Sequence, residues 1–120
     1  MKKTIDYSSI EEIMCKQEGL HLDKNEVLDI LIGDYAFVSV RGIGGKQMRF
    51  ADAMDKLPLL FFKKVLILVE FNEGCAPLFS EIDLLSRRFK PEQCSIGFFE
   101  TACNTYERHE GITLKMLYKI

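Results

Sequence analysis

The run Gly42-Ile43-Gly44-Gly45 separates a stretch of strand character from one with helical spacing. At such a junction backbone N–H groups can cradle a phosphate. Gln47 stands where a dinucleotide fingerprint needs its third glycine, and no Gly-Lys-Ser/Thr follows. The run is read instead as a strand-to-helix turn that needs positive φ. Glu70, Glu73, Glu81, Asp83 and Glu100 could form carboxylate pairs in space. The sequence brings none of them together, so they are expected to be solvated or paired with Arg87, Arg88 and the lysines. Cys15, Cys75, Cys94 and Cys103 include no Cys-x-x-Cys pair. A zinc site gathered from Cys94, Cys103 and His109 is conceivable. The simpler reading is of small core residues and surface polar groups. No catalytic residue, no metal and no cofactor are therefore expected. Asp6, Tyr7 and Ser9 remain: an aspartate and an aromatic ring just ahead of a short helix that Ser9 can cap.

The chain that must position these residues is 120 long, which suits one domain and leaves little room for two. We read residues 1–120 as a single domain, with an N-terminal segment (1–34) and an α/β core (35–120). Its composition is 48% hydrophobic, so it can bury a real core. The net charge is −2 with mixed signs, without the basic stripe that a nucleic-acid surface needs. No apolar run approaches the ~20 residues of a membrane span. Polar residues follow Met1-Lys2-Lys3 where a signal peptide would be apolar. The expectation is a cytoplasmic protein with reduced thiols, bound to neither nucleic acid nor membrane.

Ser9 and Glu12 form a capping-box pair ahead of Ile10, Ile13 and Met14, the face of a first short helix. Asp23 and Glu26 start a second, with Val27, Ile30 and Leu31 as its face and Gly33 as its end. Tyr35 to Val40 has strand composition. Phe50, Ala53, Met54 and Leu57 recur at helical spacing, and Pro58 ends that helix. Val65 to Phe71 is apolar apart from Glu70, as in a strand covered on both faces. After Pro77, Leu78, Ile82, Leu85 and Phe89 mark another helix. Cys94 to Glu100 is a strand. Ile112, Leu114, Met116 and Tyr118 alternate with Thr113, Lys115, Leu117 and Lys119, where Leu117 breaks the polar row. The order strand-helix-strand-helix-strand-strand, after two short helices, predicts a two-layer α/β sandwich with a mixed four-stranded sheet. Its last two strands are expected to form a hairpin. Leu59-Leu60-Phe61-Phe62 is read as a buried connection, with a partner patch as the alternative.

Ile5 to Met14 resembles the start of the second domain of FtsZ, the tubulin-like cell-division GTPase of bacteria. There a synergy loop, typically Asn-x-Asp-Phe-Ala-Asp, precedes a helix written Val-x-x-Val-Met. Asp6, Tyr7, Ile10, Ile13 and Met14 fall on that frame. The resemblance continues in order along the chain. Val40-Arg41-Gly42-Ile43-Gly44 is similar to a strand ending in Met-Gly-x-Gly. Ala51, Ala53 and Leu57-Pro58-Leu59-Leu60 follow an Ala-spaced helix ending in Ser-Pro-Leu-Leu. Val65 to Val69, Gly74 and Leu78-Phe79-Ser80-Glu81-Ile82 follow a strand, a turn and a Leu-x-x-Glu-Val helix. Pro91, Ile96-Gly97-Phe98 and the strand Ile112 to Tyr118 complete the set.

The resemblance implies a free-standing relative of that domain. The family's nucleotide lies in a separate domain marked by Gly-Gly-Gly-Thr-Gly-Ser/Thr, which this sequence lacks, so the chain is expected not to bind GTP by itself and not to be an enzyme. In the family the synergy loop reaches the neighbouring subunit's nucleotide. Asp6 matches its first carboxylate, but Thr4 replaces the asparagine and Ser9 the second aspartate. A serine hydroxyl neither carries that charge nor accepts a proton near neutral pH. The implied role is binding through Asp6, Tyr7 and Ser9, with FtsZ or another tubulin-like filament as the partner to be bound or capped. The sequence adds a capped helix where the family has none. Its Val27, Leu28 and Leu31 are expected either to cover a sheet face or to join a second copy in a homodimer. The alternative is a small oligomeric α/β enzyme of chorismate-mutase-like layout with a site between subunits. It would need a carboxylate-holding pocket drawn from Arg41, Arg49, Arg87, Arg88 and Arg108, which no motif links.

Overall fold

A computed structural model describes residues 23–45, 48–57, 64–89, 91–101 and 111–119. Asp6, Tyr7, Ser9, the first expected helix and the segment Leu59 to Phe62 lie outside the described residues. The described elements are α1 (Lys24–Leu31), β1 (Tyr35–Gly42), α2 (Met48–Asp55), β2 (Lys64–Asn72), α3 (Phe79–Arg88), a 3-10 turn (Pro91–Gln93), β3 (Cys94–Thr101) and β4 (Ile112–Lys119). They form the α/β architecture with one mixed four-stranded sheet that the sequence predicts. No helix among them is long and apolar enough to cross a membrane.

The sheet order is β1-β4-β2-β3. β2 and β3 run parallel, while β4 is antiparallel to both β1 and β2. The expected β3–β4 hairpin is therefore not formed. β4 crosses past β2 and enters the middle of the sheet instead. Burial explains the difference. Met116, Leu117 and Tyr118 are buried in succession on alternate faces, which an edge position beside β3 would not allow. β1 and β2 run in the same direction, as a crossover helix requires, but β4 lies between them.

Alternation along the strands sends two sets of side chains to two faces. On one face Val65, Ile67, Val69, Ile112, Leu114, Met116 and Tyr118 meet Phe50 and Ala53 of α2, Leu57 just after it, Leu85 of α3 and Phe89 at the C-cap of α3. On the other, Leu66, Leu68 and Leu117 meet Val27, Ile30 and Leu31 of α1. Leu117 breaks the polar row because α1 lies above it. β2 is covered on both faces, which is why it reads as a nearly continuous apolar run. Asp23 caps α1, its Oδ1 accepting from the Asn25 N–H at 2.9 Å. The three inner side chains of α1 contribute roughly 5–8 kcal/mol of burial, an upper figure because unfolded chains already hide part of this surface.

Val27 and Leu31, named as self-association residues, are 0% and 1% exposed, and Leu28 is half-buried. The face they form is occupied within the chain, so Val27 and Leu31 present no surface to a second copy. Ile32, at 81% exposed, stands outside that contact.

Candidate functional site

The β1–α2 turn and the β2–α3 turn meet at one end of the sheet, and Arg49 joins them. Gly44 has φ +108° and lets the chain reverse from β1 into α2. Gly42 matters through space: a Cβ there would lie 1.8 Å from the Arg49 carbonyl oxygen. The close approach sinks the first turn of α2 onto β1. Its Arg49 side chain is then fully buried. Nε and Nη2 of Arg49 donate to the two carboxylate oxygens of Glu81 at 2.7 and 2.8 Å. Nη1 donates to the Cys75 carbonyl at 2.9 Å and Nη2 to that of Ala76 at 3.3 Å. The planar fork suits this double carboxylate contact.

Glu81 is also completely buried, and it belongs to the first turn of α3. Its Oε1 accepts from the Leu78 N–H at 3.0 Å. Leu78 has no side-chain acceptor, so only the returning half of a capping box forms. A carboxylate there is also favoured by the helix N-terminus. Glu81 was expected to be solvated or paired with Arg87 and Arg88. It is instead the internal counter-ion of Arg49, because the turn places it between the two helices. Arg87 pairs with Asp83 on the surface at 2.8 Å.

Around this buried clamp the chain exposes apolar side chains. Ile43 is 60% exposed, Met48 71%, Leu78 41% and Phe79 92%. They are four of the five exposed large hydrophobics among the described residues, and all four flank the two turns that Arg49 ties together. Asp52 secures the same turn. Its Oδ2 accepts from the Ile43 N–H at 3.0 Å and from Lys56 Nζ at 3.1 Å. The Ile43 N–H first, and Lys56 next to it, hold its carboxyl below the usual aspartate range. Lys56 also donates to the Arg41 carbonyl at 2.7 Å. The end of the sheet is therefore a braced frame with apolar side chains on its outside.

Other polar groups are engaged elsewhere. Ser95 Oγ donates to Glu26 at 2.9 Å and ties β3 to α1. Lys115 pairs with Glu70 across β4 and β2. Burial pushes the Cys94 thiol up to about 11. Among the described residues no three His, Cys, Asp or Glu side chains are grouped to hold a metal. Cys103 and His109 lie outside them. Among the described residues the arginines do not converge, and Arg108 lies outside them. Arg49 is spent inside the clamp and Arg87 on Asp83. Arg41 shares its cross-strand row with Thr113 and Glu70, on the sheet face away from α2.

The clamp was missed in the sequence, yet a signal for it was present. Leu85 and Phe89 project back four residues to Glu81, and Ala53 projects back four to Arg49. Each apolar stripe thus begins with one charged residue, of opposite sign.

The sequence matches no protein-family model, and no curated protein matches it. Among solved structures, an empty FtsZ dimer from M. jannaschii superimposes with a TM-score of 0.57 at 17% identity, over 89% of this chain and 33% of that one. A tryptophan-to-tyrosine variant of M. jannaschii FtsZ gives 0.58 at 14% identity, over 91% and 35%. The chain thus spans about a third of the FtsZ chains that it matches. At this identity the likeness is one of fold: the chain is built as the C-terminal region of FtsZ is built.

Proposed function

We propose that this chain is a non-enzymatic protein-interaction domain that docks on the end of an FtsZ-like filament in the cytoplasm and blocks further addition. The observation that carries this reading is the braced apolar end formed by Ile43, Met48, Leu78 and Phe79 on a domain with an FtsZ fold. A rigid cluster of exposed apolar side chains is the usual core of a protein interface. One of the matched FtsZ structures is itself a dimer, which supports a partner of the same kind. Asp6, Tyr7 and Ser9 would supply the synergy-loop-like contact. The glycine-rich phosphate signature is absent from the sequence, and Arg49 is committed to Glu81. Both points support a domain without nucleotide chemistry of its own.

Light scattering of polymerising FtsZ with a substoichiometric amount of the chain tests this. The expected result is fewer or shorter polymers, with relief by Phe79→Ser, by Met48→Ser and by Asp6→Ala. Unchanged polymer with the parent chain sinks the proposal. Titration calorimetry should show no GTP binding, and GTP turnover by the chain alone would remove the non-enzymatic reading. Self-association is followed by sedimentation of the chain alone.

A further inference from the structure

We draw no further inference here: the strongest candidate, the polar part of the sheet face beyond α1 around the Glu70–Lys115 ion pair, is satisfied by its own pairing, and nothing in the structure shows what covers it.

Discussion

Replacing Arg49 with methionine keeps the length of the side chain and removes its charge. Glu81 would then be a carboxylate at 0% exposure with its counter-ion gone. Breaking a buried pair on one side costs about 3–5 kcal/mol. The carbonyls of Cys75 and Ala76 lose a donor as well, at about 1 kcal/mol each. Small domains hold only about 5–15 kcal/mol in total, so Arg49→Met should sit near the unfolding threshold. Glu81→Gln is milder because it keeps the acceptor for the Leu78 N–H. The informative variant is the double one, Arg49→Met with Glu81→Leu. It removes both charges, so its cost should fall short of the summed single costs by about 2–3 kcal/mol. It should not recover fully, because α3 loses its half capping box. Urea denaturation followed by circular dichroism of the parent, Arg49→Met, Glu81→Leu and the double variant measures all four corners of the cycle. Single variants that each cost less than about 1 kcal/mol, with additive behaviour in the double, would show that the two groups are solvated. That result would refute the clamp.

Four further outcomes follow from other parts of the fold. Gly42→Ala should destabilise by more than the ~1–3 kcal/mol of ordinary overpacking, because the added carbon meets the backbone of α2; Gly74→Ala, at φ +82° with open space around it, should cost only about 1 kcal/mol in the same melts. Leu31→Asp should unfold the chain by burying an unpaired carboxylate on Leu66, Leu68 and Leu117, and a variant that keeps its melting temperature would place α1 outside the core. Asp52 has a depressed pKa, so its contribution is present above the unfolded value of 3.8 and is lost as pH falls through the lower folded value. Carbon-detected NMR titration should place its midpoint below 3.8, and Asp52→Asn should flatten that part of the acid limb. Cys94, with its pKa near 11, should react slowly with iodoacetamide at pH 8 while folded and at an ordinary rate in urea.

The elements were legible because each rests on a local rule. Asp23 caps α1, and the apolar residues of β2 announce a strand with cover on both sides. Gly44 needs positive φ wherever the turn lies in space. The pairing of strands was not legible. A hairpin between β3 and β4 and an insertion of β4 between β1 and β2 use the same alternation in β4. Only Leu117 separates them, and it does so only once α1 is known to lie above the sheet. The site followed the same division. Its exposed members were visible as residue types, but Leu78 reads equally well as the first member of the α3 stripe and as the uncovered N-cap that it is.

The sequence by itself determined the elements, their order, the α/β class and the positive-φ turn, because those follow from spacing and backbone sterics within a few residues. Tertiary structure decided the sheet order, the placement of α1 and the pairing of Arg49 with Glu81, which lie 32 residues apart. A buried charge is tolerated only when its partner arrives with good geometry. No local pattern can report that arrival, because it depends on how closely the Gly42 backbone lets α2 approach β1 and on where α3 begins.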